Sequence, residues 1–396
     1  MGVGTAMTAP DVDDEAAWAE WRSAWSIDRA ITYLNHGSFG PPPTAVAKAR
    51  DDWSAQLAAN PMDFFVRRLG EILTSARTSL AGFVGTSADN LLLVDNATSG
   101  MNIVAESFPL AAGDEVLTTD HDYGAVLRIW QRACDKAGAK LVVRSVPVPV
   151  SSEEELIEAV LEGVTDRTRL LVFSHITSPT AIIFPAVALT RAARERGLAV
   201  CIDGPHAIAQ IAVDLDVLDC DYYTASCHKW LSAPFGSGFL YVHPRRQSQM
   251  RPSVVSWGRS LIGDEPSWRD EFNWQGTRDP AAHLATAAAI DFLTRVGLEA
   301  FRARTHYLAR LASAWIGGLT GLAPLVPDTT GWYGSMIALP LPAGEAEPLQ
   351  AALWDRHQIE VPVVAWQGRR LIRVSCHLYT QAAEIERLAS ALKGLL

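Results

Sequence analysis

The strongest constraint on this chain is a phase relation. From Leu91 onward, a short apolar run, a polar cluster and a helix-forming stretch recur in that order. Residues 91–94 lead into Asp95-Asn96-Ala97-Thr98-Ser99-Gly100, and residues 116–117 into Thr118-Thr119-Asp120-His121-Asp122-Tyr123. Residues 170–173 lead into Ser174-His175, and 198–202 into Asp203-Gly204-Pro205-His206. Residues 222–223 lead into Thr224-Ala225-Ser226-Cys227-His228-Lys229. Unbroken apolar runs bounded by turn formers and alternating with helices are expected of strands buried on both faces. The expected fold is therefore α/β, a mostly parallel αβα sandwich. Ligands of such sheets bind beyond the carboxyl ends of the strands, and the ionisable residues of this chain concentrate there.

After Pro280 the pattern changes. Residues 281–293 and 300–315 read as helices, 335–339 as a strand, 348–357 as a helix and 361–376 as a hairpin. A final helix carries Ile385, Leu388, Leu392 and Leu395 on one face at steps of three and four. A chain of 396 residues is too long for one core. The expected division is an N-terminal arm with a helix over 1–31 that joins the small domain, a large domain over 32–280, and a smaller α+β domain over 281–396. A net charge of −10 repels phosphate backbones, so no nucleic-acid partner is expected. Cys134, Cys201, Cys220, Cys227 and Cys376 form no C-x-x-C pair and read as reduced thiols. Apolar runs such as 181–189, broken by Pro185, fall far short of a membrane span. No Lys or Arg precedes Arg22, so a secretory signal is not expected either. These features suit a soluble cytoplasmic protein without a membrane partner.

Asp203 ends one apolar run and Lys229 follows the next. Alone, the first would be a helix N-cap and the second a solvated charge. Together, in order and on one sheet edge, a carboxylate and an amine suit pyridoxal phosphate. The lysine forms the Schiff base, and the carboxylate keeps the pyridine nitrogen protonated. The stretch Asn96-Ala97-Thr98-Ser99-Gly100, between a strand and a helix expected over 101–108, offers backbone N–H groups and a helix dipole to a phosphate. Ser226 and His228 flank the lysine as further donors. Tyr123 follows a strand end, where its ring either stacks on a planar cofactor or packs. His175 and His206 either hydrogen-bond the phenolic oxygen or are structural. Arg373, on a strand of the small domain, either holds a substrate carboxylate or joins a surface ion pair.

Rival motifs are weaker. No dinucleotide fingerprint, Walker A loop or nucleophile elbow is present. A metal site built from His121, Asp122, His175, His206 and His228 is the strongest competitor, but it leaves Lys229 without a role. Trp53, Phe64, Phe65, Trp257, Trp268, Trp274 and Trp366 either line a cleft or a dimer seam, or pack.

The strand followed by Asp203-Gly204-Pro205-His206, then Asp221-Tyr222-Tyr223-Thr224-Ala225-Ser226-Cys227-His228-Lys229-Trp230, resembles the class V aminotransferase family of fold type I pyridoxal phosphate enzymes. Asn35-His36-Gly37-Ser38-Phe39-Gly40-Pro41, Pro61-Met62-Asp63-Phe64, Gly276-Thr277-Arg278-Asp279 and Arg373-Val374-Ser375 are similar to its isopenicillin N epimerase-like branch. The resemblance implies a large cofactor domain and a small α+β domain. Lys229 is then the Schiff-base lysine and Asp203 the pyridine partner. His206 and His175 lie near the phenolic oxygen, and Tyr123 stacks on the ring and is the candidate second acid. Ala97, Thr98, Ser226 and His228 hold the phosphate, and Thr277 reaches it from a neighbouring subunit, so a homodimer is expected. Arg373 holds the substrate α-carboxylate. The implied activity is chemistry at the α-carbon of an amino acid or its conjugate in specialised, antibiotic-type metabolism. It is epimerase-like, with C–S lyase, decarboxylating, oxidatively deaminating or aminotransferase outcomes as alternatives. Cysteine desulfurases carry an arginine and a nucleophilic cysteine on a small-domain loop. The corresponding residues 359–365 have neither, which disfavours that activity.

Overall fold

A computed structural model describes residues 10–258 and 267–396, so the first part of the expected N-terminal arm lies outside the described residues. The strands are β1 (Thr32–Tyr33), β2 (Leu91–Val94), β3 (Glu115–Thr119), β4 (Lys140–Arg144), β5 (Thr168–Ser174), β6 (Ala199–Asp203), β7 (Tyr222–Ser226), β8 (Gly238–Val242), β9 (Met336–Leu341), β10 (Ile359–Glu360), β11 (Val363–Trp366) and β12 (Arg369–Ser375). Seven of them form one sheet in the order β2-β8-β7-β6-β5-β3-β4. β8 runs antiparallel to both of its neighbours, and the other pairs in this sheet are parallel.

β3, β6, β7 and β8 are buried along their whole length, as unbroken apolar runs require. Register aligns Ser174 with Asp203 and Asp203 with Thr224 in one row at the carboxyl edge. β4 and β8 were not legible as strands: β4 is edge-lying and nowhere fully buried, and β8 returns antiparallel to β7 with no helix between them. The helix expected over 101–108 starts earlier, at Ala97–Ser107, because Asn96 caps it. Asp122 staples the edge together. One carboxylate oxygen accepts from Thr118 Oγ1, Thr119 N and Thr119 Oγ1, and the other accepts from Ser174 N and Oγ.

The C-terminal part holds the antiparallel sheet β11-β12-β9, packed against the helix Leu298–Thr320, on which the helix Ala382–Leu395 packs in turn. Ile385, Leu388 and Leu392 are buried and Leu395 packs at the margin. β1 pairs in parallel with β10, and Ser375 N donates to Leu34 O, which lays the following segment, residues 35–40, beside the end of β12. Arg22 bonds Tyr379 O at 2.7 Å and pairs with Glu384 at 2.9 Å. Trp25 meets Phe292, His377 and Tyr379 edge-on. Trp53, Phe64, Phe65 and Trp274 form a separate aromatic cluster. Trp366 reaches over to donate to Asp120 O at 2.9 Å. All five cysteines are free and buried. Among the described residues no helix is long and apolar enough to cross a membrane.

Gly204 is the tightest point of the carboxyl edge, since a Cβ there would lie 2.0 Å from Cζ of the fully buried Tyr223. Gly204→Ala is expected to lower stability by about 3 kcal/mol or more through overpacking. Denaturant titration checks this, and an unchanged midpoint contradicts it.

Candidate active site

The row of strand ends forms the floor of a cleft, and β12 and residues 37–39 close its other side. Asp203, Lys229, His206, Ser226, His228, Ala97, Thr98, Tyr123 and Arg373 all line it. The sequence-derived candidates thus converge, with two exceptions. His175 is turned away from the cleft, its Nδ1 3.0 Å from the Tyr223 hydroxyl. Thr277 is exposed and does not line the cleft of its own chain.

Asp203 is buried at the end of β6 and accepts a hydrogen bond from Thr224 Oγ1 at 3.2 Å. Burial pushes its carboxyl up to about 7, against the pull of Lys229. Lys229 is drawn the opposite way. Burial, with the Arg373 guanidinium, lowers its ammonium to about 7, while Asp203 opposes. Lys48, Lys136, Lys140 and Lys393 are exposed, so among the described residues Lys229 alone is a withdrawn lysine. Its Nζ lies 3.1 Å from His206 Nε2.

The helix Ala97–Ser107 points its N-terminus at the cleft. Asn96 Oδ1 accepts from Ser99 N at 2.9 Å, and Ser226 Oγ accepts from Ala97 N at 2.9 Å. Thr98 stands exposed on the first turn, and the buried Nδ1 of His228 has no hydrogen-bond partner. Tyr123 caps the helix Gly124–Ala137 and, directly after the Asp122 staple, is 51% exposed at the cleft.

Arg373 is only 5% exposed. Its guanidinium donates to Ser178 O at 2.7 Å, Ser178 Oγ at 3.2 Å and Ser38 Oγ at 2.8 Å, and its buried Nε has no partner. Among the described residues no carboxylate pairs with it. A buried cation held only by neutral oxygens is set for an anion. Ser38 and Ser178 were not singled out from the sequence, because nothing local marks a serine as facing an arginine from another strand. His36 was also not assigned a role. Its Nε2 lies 3.0 Å from Lys229 O and its Nδ1 2.9 Å from the Tyr379 hydroxyl. Gly40 allows this approach, since a Cβ there would sit 2.6 Å from His36 Nε2 and 2.8 Å from Lys229 O.

The metal reading finds no support in geometry. Among the described residues no group of three or more His, Cys, Asp or Glu could hold an ion. His121 instead bonds Thr180 and Val146 O, and Asp122 is spent on the strand ends.

The donor set fits a different group. A buried carboxylate, a withdrawn amine, a helix N-terminus and an unpartnered imidazole nitrogen in one cleft match a pyridine nitrogen, an aldehyde and a phosphate. Residues 32–388 match the family described as Aminotransferase class-V, and the chain belongs to it. The chain is 41% identical to an isopenicillin N epimerase of Amycolatopsis lactamdurans, over 96% of this chain and 98% of that one. It is 37% identical to the Streptomyces clavuligerus isopenicillin N epimerase, over 96% and 98%. The solved structure of C-DES with glycine covalently linked to its pyridoxal phosphate superposes with a TM-score of 0.78 at 22% identity, covering 97% of this chain and 99% of that one. The fold is that of the fold type I enzymes, and the cofactor is pyridoxal 5'-phosphate.

Ser226→Ala removes the acceptor of the buried Ala97 N–H. The cofactor-free protein is expected to lose about 1–3 kcal/mol, with weaker cofactor retention, read by chemical denaturation and by dialysis. Wild-type stability in the variant contradicts the assignment.

Proposed function

We propose that this protein acts at the α-carbon of an amino acid or amino-acid conjugate, in the manner of an epimerase. The observation that carries the reading is Arg373, a buried guanidinium without a carboxylate that shares a cleft with a withdrawn lysine. Arg373 binds the substrate α-carboxylate, and Ser38 and Ser178 fix the orientation of the guanidinium between them. Lys229 is the residue that holds the cofactor, with Asp203 at its pyridine nitrogen and Ala97, Thr98, Ser226 and His228 around its phosphate. Bound pyridoxal phosphate supplies an electron sink for the charge left at the α-carbon when a proton departs.

Lys229, released as a free amine, takes that proton. Burial lowers the ammonium to about 7, so that a free amine is accessible near neutral pH, which suits it to the task. The Tyr123 hydroxyl, in the same cleft, returns a proton to the α-carbon, so that configuration inverts with no net redox change. Two chains make the working unit. The exposure of Thr277 and of the apolar side chains Phe39 and Phe235 supports a partner across the cleft mouth.

Incubation of the holoenzyme with cysteine conjugates and other L-amino acids in deuterium oxide tests this reading. Expected is α-deuterated, intact, partly inverted substrate by mass spectrometry and chiral chromatography. Released thiol with keto acid and ammonia would instead identify a C–S lyase, and keto acid with aminated cofactor an aminotransferase. Arg373→Leu is expected to lower kcat/KM by about one to two orders of magnitude, the value of a charge-assisted hydrogen bond. Unchanged kcat/KM contradicts the carboxylate role.

A further inference from the structure

His206 has two ring nitrogens, and both are engaged. Trp230 Nε1 lies 3.3 Å from His206 Nδ1, and Lys229 Nζ lies 3.1 Å from His206 Nε2. An indole N–H only donates, so Nδ1 must accept. A neutral imidazole that accepts at Nδ1 carries its proton on Nε2. That N–H then faces Lys229 Nζ. Two donors cannot share the contact, so Nζ must offer a lone pair. We propose that Trp230 is a positioning residue: its indole N–H fixes the His206 proton on Nε2, and this proton in turn holds Lys229 as a free amine turned into the cleft.

The surroundings support each link. Trp230 is completely buried and packs against the stacked rings of His36 and His377, at 5.2 Å and 6.4 Å, so its N–H has little freedom to turn elsewhere. The His206 backbone is held by Gln210 Nε2, which donates to His206 O at 2.6 Å. Burial, with the Arg373 guanidinium, keeps the imidazole from gaining a second proton. Of the charged groups facing Lys229, Arg373 favours the neutral amine and Asp203 opposes it. The nearby His36 and His228 are themselves held neutral by burial. With Asp203 pulling toward the ammonium, a fixed donor at Nζ is what tips the balance. Without the indole N–H the ring is free to exchange tautomers, present a lone pair at Nε2 and accept from the ammonium. Loss of the donor should therefore raise the Lys229 pKa.

The inference rests on Lys229 being the lysine that holds the cofactor. Two measurements on the full-length chain test it. In cofactor-free protein with 15N-labelled histidine, the His206 signal, assigned by its loss in His206→Gln, is expected to show the neutral Nε2–H tautomer at neutral pH. This measurement needs no change at Trp230. The rate of pyridoxal phosphate uptake is then followed against pH for wild type and for Trp230→Phe, which keeps an aromatic ring and removes the donor. The midpoint is expected to move up by as much as about one pH unit, up to about tenfold slower uptake at neutral pH. The two rates should converge at alkaline pH. A general structural defect would slow uptake at every pH and leave the midpoint in place. An Nδ1–H tautomer or an imidazolium in wild type, or an unmoved midpoint in a folded Trp230→Phe, overturns the proposal. A Lys229→Ala protein that keeps the cofactor's visible band overturns instead the reading beneath it.

Discussion

The structure turns on one lysine drawn out of bulk water into a cleft, where it is half-buried. Burying an ammonium is costly, and Lys229 shares its cleft with Asp203 at the carboxyl edge of a parallel sheet, where strand ends bring ionisable groups together. Each burial shifts its group toward the neutral form, the carboxyl upward and the amine downward. Near neutral pH neither group is held fully in its charged form, which leaves both open to a partner with a basic nitrogen and an electrophilic carbon. The sheet supplies this arrangement through register, since Ser174, Asp203 and Thr224 fall in one row.

The opposite wall comes from the other end of the chain. Arg373 reaches the cleft from β12, and its hydrogen bonds run to Ser38 and Ser178, on segments far apart in sequence. The short parallel pair β1–β10 and the bond from Ser375 N to Leu34 O lock residues 35–40 against the end of β12. His36 continues that contact to the backbone of Lys229. The N-terminal segment, the lysine turn and the strand that carries Arg373 are thus one connected polar unit.

Much of this was legible in the sequence, for a physical reason. Strands buried on both faces must be continuously apolar, and the groups that follow them must lie on the ligand side, so the positions of Asp203, Lys229 and Tyr123 along the chain already placed them at the cleft. The helix after β2 began earlier than its apolar pattern indicated, because a cap rather than periodicity sets a helix start. β4 and β8 escaped notice because an edge strand is half polar and a returning antiparallel strand breaks the repeating grammar. The partners of Arg373 and the bond from Trp230 to His206 were not legible at all. They join residues brought together by tertiary packing, and neither a serine nor a tryptophan announces its hydrogen-bond partner. Of the high tryptophan content, Trp18, Trp130 and Trp230 are among the largest fully buried side chains. At least part of that content therefore serves the core.

The central claim is that Lys229 is the amine that holds the cofactor. Borohydride reduction of the yellow holoenzyme, followed by proteolysis and peptide mass spectrometry, tests it directly. One pyridoxyl label is expected, on the peptide that contains Lys229. A label on Lys48, Lys136, Lys140 or Lys393, or no covalent label on a protein that still binds pyridoxal phosphate, would contradict it.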